Sequence, residues 1–211
     1  MKKTIITIFL ASVFFSSGCS EEYFTDGGVQ ADQTEALKVS TLKFLESEPA
    51  RFDTLVALIK LCGLEAEVSR PGSTFMAPQD YSIHNYLKLL FPDENKWPPL
   101  SQLSDVEKKE ITQILRNYMI PDKEIERQGL SPAYSYATTR GGKKARFNLI
   151  REDYLGNVNM GAAYVVFALD TRKEGSNAEQ FQPVNVVTAG LRSTNGIIHV
   201  LDSNTHIFGF K

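Results

Sequence analysis

The sequence predicts an α+β domain, and three observations carry that prediction. Apolar residues recur at helical spacing through the first half of the chain. From Ala133 onward the period changes to that of strands. The strands follow one another with turn signals between them, so a helical half is followed by consecutive hairpins. Neither an internal repeat nor a second domain boundary is visible.

The elements follow in order. Phe52, Leu55, Val56, Ile59 and Cys62 share one helical face, with Gly63 as the stop. Cys62 is then a small core residue rather than a nucleophile, because no base accompanies it. Thr74-Phe75-Met76-Ala77 reads as a short buried strand closed by Pro78. Asp80 is placed to cap a helix with Ile83, Leu87, Leu90 and Phe91 on its apolar face, ended by Pro92. Ser104 and Glu107 form a capping-box pair. The helix they open is expected to bury Ile111, Ile114, Leu115 and Tyr118, and to stop at Pro121.

In the strand half, Tyr134, Tyr136 and Thr138 alternate with small residues, and Arg140-Gly141-Gly142-Lys143 supplies a turn. Phe147–Ile150 returns as a strand. Ala163–Leu169 is almost continuously apolar, which implies burial on both faces. Phe181–Val187 and Ile197–Leu201 are two further strands. Asn195-Gly196 reads as the two-residue turn between strands. Ile207-Phe208-Gly209-Phe210 packs aromatics at the end of the chain.

The first residues have the organisation of a secretory signal. Lys2 and Lys3 precede an apolar run from Ile5 to Phe15. That run is shorter than the roughly 20 residues a spanning helix needs. Ser16-Ser17-Gly18-Cys19 resembles the lipobox of bacterial lipoproteins, with Ser16 where leucine is usual. Lipid on Cys19 would supply stable membrane anchoring. Ser20, Glu21 and Glu22 resemble a signal for export to the outer surface of Gram-negative cells. The expected organisation is a signal peptide over 1–18, a lipidated tether over 19–34 and one domain over 35–211. The expected location is the outer membrane, lipid-anchored and facing outward.

A formal charge of −2 with both signs interspersed gives no support for nucleic-acid binding. Neither a Gly-rich phosphate loop nor a Ser/His/Asp order stands out, and no catalytic residue, cofactor or metal is assigned. His199 lies in the apolar run Ile197–Leu201. Without metal-ligand spacing around it, it reads as a buried neutral imidazole with both nitrogens hydrogen-bonded. Asp202 is expected to fix the following turn. His84 and His206 read as surface or edge residues.

The motifs resemble those of a known family. Thr74-Phe75-Met76-Ala77-Pro78 resembles the first motif of fasciclin-like domains, and Ser193–Asp202 resembles the second. Ile114–Ile120 matches the central segment, and order and spacing fit from Leu42 to Phe210. The resemblance implies a wedge-shaped β-sandwich flanked by helices. It also implies a role in cell-surface adhesion and protein contacts, without a common catalytic activity. Thr74, Phe75, Ala77, Pro78, Tyr118, Asn195, Gly196, His199 and Asp202 are then structural motif positions. The family often carries Tyr-His in its central segment, a pair linked to receptor adhesion. Here Met119 follows Tyr118, so receptor binding is not carried over.

Three residues are candidates for binding. Trp97, beside Pro98 and Pro99, offers either a stacking face or an apolar cover for the core edge. Tyr134 and Tyr136 would join it in a sugar platform if all three shared one face. Arg140, Lys143, Lys144 and Arg146 gather in sequence at one hairpin and either meet an acidic partner or remain solvated. The expected partners are the membrane through Cys19 and a protein of the envelope, with a glycan as the alternative.

Overall fold

A computed structural model of the protein describes residues 36–93 and 97–211. The expected signal peptide, Cys19 and the tether to residue 34 lie outside the described residues. The helical half comprises α1 (Thr41–Ser47), α2 (Pro49–Leu61), α3 (Glu65–Val68), α4 (Asp80–Leu90) and α5 (Asp105–Arg116). The strands are β1 (Ser73–Ala77), β2 (Met119–Ile120), β3 (Ser135–Thr138), β4 (Lys144–Arg151), β5 (Ala163–Asp170), β6 (Phe181–Arg192) and β7 (Gly196–Leu201).

The seven strands form one sheet in the order β2-β1-β7-β6-β5-β4-β3. Among the described residues, only the β1–β7 pair is parallel. β6 belongs to both halves of the sheet: Phe181–Asn185 pairs with β5, and Val186–Arg192 pairs with β7. Two register shifts, between Val186 and Thr188 and between Thr188 and Leu191, bend it. A bulge adds local twist and turns a strand, so the sheet folds toward itself into a nearly closed wedge with helices at its flanks. This is the α+β architecture the sequence predicts.

Core packing follows the apolar spacing. Phe52, Leu55 and Ile59 of α2 are fully buried, and Gly63 ends that helix with φ +65°. The Ser104/Glu107 capping box opens α5. All five residues of β1 and all six of β7 are buried, because the wedge covers both faces of these strands.

Several expectations change. Asp80 does not cap its own helix. Gln79 holds the cap position, and the Asp80 carboxylate instead accepts the Thr54 and Leu55 N–H groups, joining α4 to α2. Helix α5 ends at Arg116, so Tyr118 lies beyond it and Met119-Ile120 forms β2 against β1. Strand pairing there outweighs continuation of the helix. Cys62 is half-buried at the edge of the core. The turn between β6 and β7 centres on Thr194-Asn195, since the Ser193 N–H donates to the Gly196 carbonyl and Arg192 pairs with Ile197. Gly196 is therefore a strand residue. A Cβ on it would lie 2.1 Å from the Ser73 carbonyl oxygen of β1.

Candidate functional site

The motif positions turn their polar groups inward. Thr74 donates its hydroxyl to the Lys123 carbonyl and accepts the Ile125 N–H. Phe75, Ala77 and Pro78 are buried beside it. The Asn195 side-chain oxygen accepts the Thr41 N–H at 2.7 Å, while its amide donates to the Thr41 hydroxyl. That exchange fastens the start of α1 to the β6–β7 turn. Asp202 accepts the Asn204 N–H and the Thr205 hydroxyl, closing its own turn.

His199 is fully buried and uses both ring nitrogens. Its Nε2 lies 2.7 Å from the Ile125 carbonyl, and Nδ1 accepts the Gly190 N–H at 3.2 Å. A carbonyl only accepts and an amide N–H only donates, so Nε2 carries the single proton. Burial pushes the His199 pKa down to about 4, against the Ile125 hydrogen bond that favours the cation. His206 overturns its expected surface placement: it is 3% exposed. Its Nε2 lies 2.8 Å from the Tyr118 hydroxyl, and Phe210 packs against its ring at 4.6 Å. His84 is exposed beside Thr54, as the sequence suggests. Among the described residues, no group of three or more His, Cys, Asp or Glu could hold a metal ion.

Trp97 is not an exposed anchor. Its Nε1–H donates to the Phe91 carbonyl at 2.8 Å, and the ring packs against the core edge, 6.2 Å from the His84 ring. The carbonyl is available because Phe91 caps the end of α4, where helical acceptors lack an intrahelical partner. A cleft of about 230 Å³ lies beside the ring, lined in part by Thr54, His84, Phe91, Pro98 and Pro99. Trp97 therefore sits among the helices, whereas Tyr134 and Tyr136 lie at β3, and the three form no common platform.

The two tyrosines do form a surface, and it extends further than the sequence indicates. Tyr134 and Tyr136 are 50% and 44% exposed, with ring centroids 6.4 Å apart. Strand register places Tyr136, Arg146, Ala168 and Pro183 in one row across β3–β6, with Thr138 beside Lys144 and Asp170 beside Phe181 next to it. The Arg146 guanidinium lies 4.2 Å from the Tyr134 ring centroid and 4.4 Å from that of Phe181. The Lys144 ammonium lies 4.5 Å from the Tyr136 ring centroid. Such cation–π contacts hold both partners in place. The sequence marks Phe181 only as a strand residue; the signal for its place here is the outward alternation Phe181, Pro183, Asn185.

The four basic residues of the β3–β4 hairpin do not gather. Arg140 pairs with Glu67, which also binds Arg116. The Arg116 guanidinium, with Arg140, holds the Glu67 carboxyl below its ordinary pKa. Lys144 pairs with Glu179 at 2.7 Å, and Arg172 bridges Glu179 to Asp170. Burial opposes ionisation of Asp170, but Arg172 and two backbone N–H donors outweigh it and lower its pKa to about 2. Two of the four cations, Arg140 and Lys144, are thus paired with carboxylates, while Arg146 lies over the Tyr134 and Phe181 rings.

Comparison with known proteins adds the family. A structural match is found to a FAS1 domain pair from the insect cell adhesion molecule Fasciclin I, with 15% identity and a TM-score of 0.44. It covers 81% of this chain and 46% of that one, so this chain spans about half the length of its match. A search of curated proteins finds no match. The fasciclin domain family model matches residues 50–204. On that match the chain belongs to the fasciclin domain family, whose members are known in cell adhesion proteins.

Proposed function

We propose that this chain is a non-catalytic adhesion or protein-interaction module, held by lipid on Cys19 at the outer membrane of a bacterium and facing outward. Its membership of the fasciclin family supports the interaction role. The observation that carries the choice of surface is the ladder Tyr134, Tyr136, Arg146 and Phe181 on the exposed sheet face. Tyrosine and arginine are enriched at interface centres, and rings already held in place lose little conformational freedom on binding. The family motifs offer no comparable surface, because their polar groups are engaged inside the domain.

A glycan remains the second reading, because the same exposed tyrosine pair offers stacking faces for sugar rings. The two readings separate in one experiment. Affinity capture from the native envelope, run beside a soluble glycan panel, compares the wild type with Tyr136→Ala. Capture of a defined protein that the variant loses supports the protein reading. Retention on a glycan column, lost in the variant, supports the sugar. Equal behaviour of wild type and variant in both arms overturns the surface.

A further inference from the structure

The β4–β5 connection, residues 152–162, exposes more apolar side chain than any other loop among the described residues. Tyr154, Leu155, Val158 and Met160 are 60%, 84%, 72% and 58% exposed within seven consecutive residues. Its own hydrogen bonds shape the tip. Tyr154 and Asn157 exchange backbone bonds, the Asn159 N–H donates to the Asp153 carboxylate, and the Gly161 N–H donates to the Glu152 carbonyl. Leu155 and Asn159 adopt φ of +49° and +58°, a region that side chains rarely occupy. A strained backbone that presents leucine to solvent calls for an apolar neighbour beyond the chain.

The position of the loop indicates which neighbour. β5 and β6 are antiparallel, so the loop leaves the sheet at the end where β6 finishes. The described chain enters at that same end, where the Leu37 N–H donates to the Arg192 carbonyl at 2.7 Å. A continuous set of contacts joins the two places: Arg192 pairs with Glu126, and the adjacent Arg127 donates to the carbonyl of Ala163, the first residue of β5. Seventeen residues separate this entry from the Cys19 position, a distance of at most about 60 Å when fully extended. A lipid on Cys19 would hold the domain within that reach of a bilayer, and the described chain enters at the end of the sheet from which the apolar tip projects.

We propose that the 152–162 loop inserts Leu155, Val158 and Met160, with Tyr154 at the polar boundary, into the interfacial layer of a lipid bilayer. This rests on the lipid-anchor reading above. The loop contains Glu152 and Asp153 and no lysine or arginine. Its attraction to the bilayer is therefore apolar, does not require anionic lipid and resists salt.

The test uses the protein purified from the envelope and reconstituted in phosphatidylcholine vesicles. Leu155→Trp adds a reporter at the tip, with the wild type and its Trp97 as baseline. Lys173→Trp adds the same reporter in the β5–β6 connection at the opposite end of the sheet. Brominated phosphatidylcholine should quench most of the emission added at the tip and little of that added by Lys173→Trp, at low and high salt alike. Val158→Trp repeats the measurement at a second tip position. Equal quenching in the Leu155→Trp and Lys173→Trp variants overturns the proposal, as does quenching that needs anionic lipid and vanishes in salt. Intact mass reads acylation at Cys19 separately. An unacylated protein sinks the anchor, whereas an acylated Leu155→Trp protein whose added indole stays in water sinks the insertion alone.

Discussion

The Tyr118 hydroxyl joins two segments far apart in the chain: it is hydrogen-bonded to Nε2 of His206 at 2.8 Å and accepts the Gly209 N–H at 2.9 Å. The Tyr118 ring stacks on Phe208 and Phe210. The central family segment thus latches the C-terminal residues over the open side of the wedge. That segment is wholly internal here, since Tyr118 and Met119 are both buried.

Tyr118→Phe keeps the ring and removes the hydroxyl. It leaves Nε2 of His206 and the Gly209 N–H without a partner, at a cost of about 2–4 kcal/mol. His206→Phe in that background should cost less than in the wild type, because one orphaned group goes with it. Denaturant titration of the four proteins checks the coupling; additive losses would break the latch.

Acid should weaken the domain before its carboxylates titrate. Burial pushes both His199 and His206 down to about 4, the latter against the favourable charge of Asp202. Unfolded imidazole titrates near 6.5. Between those values the unfolded chain binds more protons, so stability is full above about pH 6.5 and falls as pH drops toward 4. Each histidine contributes up to about 1.4 kcal/mol per pH unit in that window. Glu67 and Asp170 are lowered carboxylates and lose their contribution only at more acid pH. Urea midpoints at pH 7, 6 and 5 should therefore slope, and His206→Phe should flatten the slope relative to its own neutral-pH stability.

Gly196→Ala tests the close approach of β7 to β1. The glycine has no positive φ to defend, and the obstacle is the Ser73 carbonyl oxygen 2.1 Å from the new Cβ. Two paired strands must separate, with an expected loss of about 3 kcal/mol. A Tm within a degree or two of the wild type would show that the pair yields easily.

Helices and strands were legible because their signals are local. The Ser104/Glu107 box and the alternation in β3 need no information from elsewhere in the chain. His199 was legible too, since an apolar run on both sides implies burial. His206 was not: Ser203, Asn204 and Thr205 precede it, and its burial depends on Tyr118, Phe210 and the closure of the wedge. The aromatic ladder was half legible. Tyr134 and Tyr136 share a strand face by period, but Phe181 joins them only through the register of three strand pairs. Trp97 illustrates the same limit, since the acceptor that folds it inward is a backbone carbonyl, invisible to composition.

Trp97→Ala should act on stability and leave partner capture unchanged. It removes a ring packed on the core edge and orphans the Phe91 carbonyl, at a cost of about 2–4 kcal/mol. Trp97→Phe should recover most of the packing and lose about 1 kcal/mol for the missing N–H donor. Paired melting and capture measurements check it. Weakened capture at unchanged Tm would return Trp97 to the binding surface.

Tyr136→Ala should do the reverse. The ring is 44% exposed and its main neighbours are Tyr134, Phe181 and the Lys144 ammonium, so removing it opens no cavity in the core. The expected change in stability is within about 1 kcal/mol. If the ladder is the contact surface, loss of one central ring should cost about 2 kcal/mol of binding, roughly a thirtyfold weaker Kd. Arg146→Lys gives a second reading of the same surface. The ammonium keeps the charge but lacks the planar, delocalised guanidinium that lies over both the Tyr134 and Phe181 rings. Binding that depends on the ordered ladder should fall in Arg146→Lys as well, whereas binding that depends on charge alone should persist. Calorimetry with the captured partner or glycan separates these outcomes. Unchanged affinity in both variants would place the contact surface elsewhere on the domain.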